Sequence, residues 1–270
     1  MLKTEMRNPR TTHIDSMTTE QMLEVMQDEN RVVTESVGAV LKDVAKAVDG
    51  IFRGMQAGGR LFYIGCGTSG RIAVADAAEC PPTYGVSPDR VVGIIAGGDS
   101  ALRTAVEGYE DSFEAGYHVM EPYRLSDRDS VIGLSAAGGA AFVLGALTAA
   151  RERGALTVAI TSNAGAPLTE LADIAVCPDT GAEVVTGSTR MKAGTSQKII
   201  LNMISTSVMI KLGYVYENFM INLCPSNVKL RSRMIYITSQ IAGISLEEAE
   251  RHLKANGFDI RAAVKEASAV

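Results

Sequence analysis

Residues 60–70 read RLFYIGCGTSG: a short apolar run, Arg60–Ile64, leads into Gly65, Gly67 and Gly70 in the spacing G-x-G-x-x-G. An apolar run of this length, closed by glycine and followed by a helical pattern, reads as a strand, a tight turn and a helix. Glycines at such a turn let the backbone approach an anion, and the helix start that follows points N–H groups at it. Thr68 and Ser69 add hydroxyl donors that suit a compact phosphate monoester. A dinucleotide site uses the same spacing but needs an acidic residue at the tip of the next strand. Here the next strand ends Ile95-Ala96-Gly97-Gly98 and Asp99 comes late, so the monoester is favoured. A tight turn that binds nothing is the plain alternative.

Outward from this unit, further apolar runs occur at Val91–Ile95, Ser130–Leu134, Leu156–Ile160 and Ile174–Cys177, with helical stretches between them. Alternation of this kind predicts a parallel sheet with helices on both faces, and ligands beyond the carboxyl ends of the strands. Before the first strand, Thr18 and Gln21 fit a capping box. A stripe of Val37, Val40, Leu41, Val44, Val48, Ile51, Phe52 and Met55 then predicts a second helix that Gly58-Gly59 stops. A long apolar helix is expected over 193–212. Ser245 and Glu248 form another capping box, Asn256-Gly257 ends that helix, and Asp259 caps the last one. The expected organisation is an N-terminal helical segment over 1–57, an α/β domain over 58–222 that carries the anion-binding turn, and a helical tail over 223–270.

Composition narrows the function classes. The chain has 270 residues, 46% of them hydrophobic, and a net charge of −5. It lacks a long basic run, so nucleic acid is not an expected partner. No apolar leader is visible, and the most apolar stretch, 199–212, falls short of the roughly 20 residues a membrane span needs. A cytoplasmic location is therefore expected. The four cysteines, Cys66, Cys80, Cys177 and Cys224, form no C-x-x-C pair and read as reduced thiols. With only three histidines, no metal site is expected.

Several stretches carry a family resemblance. They are TEMRNP near the start, GGRLFYIGCGTSGRIAVADAAECPPTYG at 58–85, AGGDSALRTAVEGYEDS at 96–112 and GAEVVTGSTRMKAGTSQK at 181–198. Together they resemble the bacterial N-acetylmuramic acid 6-phosphate etherases, which carry a sugar-isomerase (SIS) domain; the vertebrate glucokinase regulatory protein shares parts of the pattern. The resemblance implies a five-stranded parallel sheet in a flavodoxin-like three-layer sandwich, and a homodimer with the site near the subunit interface. It implies cleavage of the D-lactyl ether of N-acetylmuramic acid 6-phosphate to N-acetylglucosamine 6-phosphate and D-lactate. No cofactor is implied.

Breaking an ether β to a carbonyl is easiest by elimination, with one carboxyl group as base and another as acid. Glu79, in AECPP, and Glu110, in EGYED, match the family's catalytic pair. Pro81-Pro82 should end the helix just after Glu79. A helix C-terminus disfavours an anion, which favours the protonated form that a general acid needs. That leaves Glu110 as the base. The residue pattern alone gives Glu110 another reading, because Glu107, Glu110, Asp111 and Glu114 would share a solvated face if this stretch were helical. On the phosphate side the candidates are Gly67, Thr68, Ser69, Ser188, Thr189 and Lys192, the last as a neutralising cation, while Glu183 is a further carboxylate that could contact the sugar. Helix capping by Ser188 or Thr189 is the structural alternative.

The pattern breaks after the third strand. The family's second phosphate loop reads like Ser-Gly-Arg-Thr-Pro-Tyr; this chain has Ser135-Ala136-Ala137-Gly138-Gly139-Ala140-Ala141-Phe142. Ala137, Gly139, Ala140 and Phe142 replace the family's serine, arginine, threonine and tyrosine, and Ser135 could stand in only if the loop shifts. Each lost hydrogen bond to a charged group costs about 1.5–3 kcal/mol. The tail carries only about one helix pair, and Ser226-Asn227-Val228 stands where the family has Thr-Asn-Glu. A catalytically silent sugar-phosphate sensor, or a relative with another substrate, is therefore the alternative function.

Overall fold

Thr18 opens the first helix, α1 (Thr19–Ala39): its hydroxyl accepts the Gln21 N–H while the Gln21 side chain accepts the Thr18 N–H. The computed structural model describes every residue except Ala105, Glu107, Ser226, Ala269 and Val270. The apolar stripe that begins at Val37 is divided between two helices. The chain turns at Val40, whose N–H bonds to the Val37 carbonyl, and α2 runs Leu41–Gln56 with Val44, Val48, Ile51 and Met55 buried. Gly58, at φ +92, leads out of it.

Five strands follow: β1 (Leu61–Gly65), β2 (Val91–Ile95), β3 (Ser130–Leu134), β4 (Leu156–Ile160) and β5 (Ile174–Val176). All pair in parallel, in the order β2-β1-β3-β4-β5. The intervening helices are α3 (Gly67–Tyr84), α4 (Phe113–His118), α5 (Ala141–Glu152) and α6 (Pro167–Leu171), and α7 (Lys192–Lys211) follows β5. This is a doubly wound sheet whose strand order reverses between β1 and β3. The crevice that ligands use in such sheets lies there, beyond Gly65 and Leu134.

By its contacts the chain forms two compact units, one of residues 1–78 and 89–208, the other of residues 79–88 and 209–270. In the first, Phe62 and Ile64 of β1 pack with Val131, Phe142, Val143 and Leu147. Tyr63 points to the opposite face, as alternation along a strand requires. Its hydroxyl donates to the Asp76 carboxylate of α3 (3.0 Å), which also accepts from Asn202 and Ser205 of α7. A buried carboxylate is thereby satisfied and the second helical layer is fixed to the sheet. Helices α4 and α5 touch through glycine. A Cβ at Gly116 would stand 1.8 Å from the Phe142 carbonyl oxygen, and one at Gly145 would stand 2.1 Å from that of Phe113.

The second unit holds a two-stranded antiparallel pair, β6 (Val215–Tyr216) and β7 (Phe219–Met220), and the helices α8 (Val228–Ala242), α9 (Leu246–Ala255) and α10 (Ile260–Ala267). Leu223, Met234, Ile237, Leu253, Ile260 and Ala263 form its core. Ser245 and Asp259 cap α9 and α10 as the sequence predicts, and α8 adds a helix ahead of that pair. Val228 is the first residue of α8 and is 81% exposed. A glutamate there would face solvent and favour the helix start. Ser226 lies outside the described residues.

Two sequence expectations are corrected. Pro81 and Pro82 lie inside α3, which runs on to Tyr84. A proline loses its own N–H but keeps its carbonyl, and the Gly85 N–H bonds to the Pro81 carbonyl at 2.9 Å. The helix therefore continues past the pair. The cost falls upstream, where Ala77 and Ala78 lose the backbone donors that Pro81 and Pro82 would have supplied. The acidic stretch before α4 is not a helix face either. Residues 108–112 are turns, α4 begins only at Phe113, and its cap is the Ser112 side chain. Glu107, a member of that expected face, lies outside the described residues.

Candidate active site

The turn after β1 is built for close approach. A Cβ at Gly65 would stand 2.6 Å from the Gly70 nitrogen, and one at Gly70 would meet Ile95 at 2.5 Å, so strand, turn and helix start touch through glycine. Gly67 differs: it sits at φ +52 and has nothing within 4 Å where a side chain would begin. It opens onto a cavity of about 250 Å³, lined also by Thr68, Ser69, Glu110, Ser135, Ala137, Thr189 and Glu5. The loops after β1 and β3 thus meet at the reversal point of the sheet, as the fold dictates.

Glu110 is carried to this place by a turn. The Phe142 N–H donates to the Glu110 carbonyl at 3.0 Å, tying the turn to the start of α5. Its side chain stands on the rim of the cavity and also lines a neighbouring one of about 450 Å³ with Cys66, Gly67, Arg71 and Asp111. Between these acids, the Cys66 thiol is pushed up to about 12, by burial first and by the charges of Glu110 and Asp111 next. It is a neutral thiol at physiological pH and not a nucleophile.

The phosphate-side candidates separate into two groups. Gly67, Thr68, Ser69 and Thr189 stand together on the cavity wall. Ser69 is largely buried and its hydroxyl donates its proton to the Gln197 side-chain oxygen at 2.8 Å. Ser135 is on the wall as well: its oxygen accepts the Gly138 N–H at 3.0 Å, and its own proton has no acceptor among the described residues. A hydroxyl donor survives there although the family's side chains are gone.

Ser188, Glu183 and Lys192 do not line this cavity. Glu183 is fully buried and accepts the backbone N–H groups of Lys192 and Ala193, both at 3.0 Å. It is the cap of α7, placed where the helix dipole favours an anion. Lys192 is 2% exposed, and its ammonium is bonded to the buried carboxylate of Glu29, which Asn8 and Arg10 also contact. Its charge is matched inside the protein, so it is not the free cation the sequence suggested. Among the described residues Arg71, in the adjoining cavity, makes one hydrogen bond, from Nε to the Leu102 carbonyl at 3.2 Å. It is the one cationic residue in the wall of either cavity among the described residues.

Glu79 begins the second unit, is exposed and lines neither cavity. One of the two expected catalytic carboxylates therefore stands in the cavity and the other does not. Sequence reasoning missed Arg71, which sits one residue past the glycine turn, and Gln197 and Glu5, which lay inside quoted motifs but carried no role of their own.

These features can be set against known proteins. The SIS domain description matches residues 111–207, and that of the glucokinase regulatory protein N-terminal SIS domain matches residues 43–151. The phosphoheptose isomerase from Francisella tularensis shares the fold, with a TM-score of 0.55 at 18% identity over 71% of this chain and 98% of that one. The N-acetylmuramic acid 6-phosphate etherase of Salmonella typhi is 45% identical over 97% of this chain and 89% of its own length. That of Caldanaerobacter subterraneus subsp. tengcongensis is 48% identical over 97% of this chain and 86% of its own. Identity at this level along nearly the whole length shows that the chain belongs to the N-acetylmuramic acid 6-phosphate etherase family.

Proposed function

We propose that this protein is a carbon–oxygen lyase. It cleaves the D-lactyl ether of N-acetylmuramic acid 6-phosphate and yields N-acetylglucosamine 6-phosphate and D-lactate. The observation that carries this reading is the position of Glu110: a carboxylate on the rim of a cavity whose wall is the glycine turn with Thr68 and Ser69. The turn takes the phosphate through backbone N–H groups and the Thr68 hydroxyl, with Ser69 held beside it by Gln197 and with help from Thr189 and Ser135. The open-chain aldehyde makes the C2 proton acidic. Glu110 removes that proton, the electron pair forms the C2–C3 double bond, and the C3–O bond breaks. A general acid protonates the departing lactyl oxygen, a part that the family pattern gives to Glu79 although Glu79 lines neither cavity here, and water then adds at C3. The protein acts as a cytoplasmic homodimer with the site near the subunit interface, and neither a cofactor nor a metal takes part.

Elimination leaves a mark that direct displacement does not. Turnover in deuterium oxide places deuterium at C2 of the product sugar; a product without it would rule out the elimination. A second reading rests on the loop at 135–142, which lacks the cationic side chain of the family's loop. On that reading the protein binds the sugar phosphate and releases no D-lactate.

A further inference from the structure

The segment TEMRNP, residues 4–9, is one of the motifs that carries the family resemblance, yet the proposed chemistry gives it no task. The structure pins it down. The Thr4 side chain is fully buried, and its hydroxyl accepts from the Asn163 amide at 3.1 Å. The Asn163 oxygen accepts the Lys3 N–H at 2.8 Å. Asn8, also buried, donates to Glu29 at 2.9 Å and to the Ala182 carbonyl at 3.3 Å. Thr11 donates to the Val184 carbonyl at 2.8 Å. Asn163 also donates to the Ala136 carbonyl at 3.0 Å, so one side chain fixes both this segment and the loop after β3.

Among these anchored residues, Glu5 points elsewhere. Glu5, itself exposed, lines the cavity with Thr68, Ser69 and Glu110. One of its oxygens stands over Gly187, 3.2 Å from where a Cβ would be, so even an alanine there would crowd it. The carboxylate has no hydrogen-bond donor among the described residues. Lys3, two residues before it, is paired instead with Asp179.

An ionised carboxylate is an acceptor only. It repels a phosphate dianion, and it bonds well to hydroxyl or amide N–H groups on the carbon chain that carries the phosphate. We propose that Glu5 is a substrate-binding residue: it accepts hydrogen bonds from the hydroxyl groups adjacent to the phosphate and so selects a polyol phosphate over a bare one. The proposal rests on the sugar-phosphate reading of the cavity but not on turnover. The anchored segment fixes the backbone that carries this acceptor before the ligand arrives.

The two halves of this role have opposite signs, which makes the test sharp. Binding of inorganic phosphate and of N-acetylglucosamine 6-phosphate is measured by calorimetry for wild type, Glu5→Gln and Glu5→Ala. Both variants should bind the sugar phosphate about tenfold more weakly, the loss expected for a hydrogen bond to a charged group. Both should bind inorganic phosphate as well as wild type or better, because a like charge is gone. Equal weakening of both ligands would overturn the proposal, since it would mean a merely structural role. So would unchanged binding of the sugar phosphate. Wild type that binds neither ligand would overturn it together with the sugar-phosphate reading; wild type that binds both, with unaltered variants, would overturn it alone.

Discussion

Replacing Lys192 with Met separates the two roles that this lysine could have. In the structure its ammonium lies against Glu29, and the two side chains are 3% and 4% exposed. Removing one member of a buried pair costs about 3–5 kcal/mol, because the other charge is left without its partner. Glu29 would keep Arg10 at 3.1 Å and Asn8 at 2.9 Å, and Arg10 is half exposed, so the loss should fall at the lower end, about 3 kcal/mol. For a chain of this size 1 kcal/mol shifts Tm by about 2–4 °C, which gives a fall of about 6–12 °C. Thermal unfolding followed by circular dichroism measures it. The double variant Lys192→Met with Glu29→Met should recover most of the loss, since an apolar pair of similar volume is tolerated where the ion pair stood. Phosphate affinity of the folded single variant should stay within about threefold of wild type, well short of the effect of losing a charged contact. A Tm within about 2 °C of wild type, joined to a tenfold loss of phosphate affinity, would refute this reasoning and return Lys192 to the phosphate site.

Two other predictions concern titratable groups. Burial pushes the Asp129 carboxyl up. Bonds from the Arg60 guanidinium and from the backbone N–H groups of Ser126 and Arg60 outweigh it and hold the carboxyl below the usual range. A lowered value means that Asp129 stabilises the fold fully above the ordinary carboxylate range near pH 4 and loses this as pH falls through the lowered value. The stability gap between wild type and Asp129→Asn should therefore be constant from pH 7 to about 5 and shrink below 4; a gap that widens with acid would contradict the assignment. Cys66, held as a thiol, should resist iodoacetamide at pH 8 while the exposed Cys224 reacts, as read by mass spectrometry of the native protein. Rapid labelling of Cys66 would mean that burial, with the charges of Glu110 and Asp111, does not hold it as a thiol.

The strands were legible because each is a short apolar run followed by small or polar residues, and parallel sheets leave that pattern undisguised. The capped helices were legible for a local reason as well: Thr18 with Gln21, and Ser245 with Glu248, bond within one turn. What the sequence concealed depends on distant partners. Lys192 reads as a phosphate cation until Glu29, 163 residues away, is seen beside it. Glu183 reads as a sugar contact until the N–H groups of α7 are seen on its oxygens. Pro81-Pro82 reads as a stop, yet the helix goes on from the Pro81 carbonyl. Glu110 carried two sequence readings. The structure removes the helical face and leaves the cavity rim.

The central claim is lyase chemistry with Glu110 as the base, and release of D-lactate from N-acetylmuramic acid 6-phosphate tests it most directly. Wild type should release D-lactate in step with N-acetylglucosamine 6-phosphate. Glu110→Gln, which keeps the shape but cannot take a proton, should lose at least about a hundredfold in rate while still binding the sugar phosphate. Release at an undiminished rate by Glu110→Gln, or no release by wild type that binds the substrate, would contradict the account.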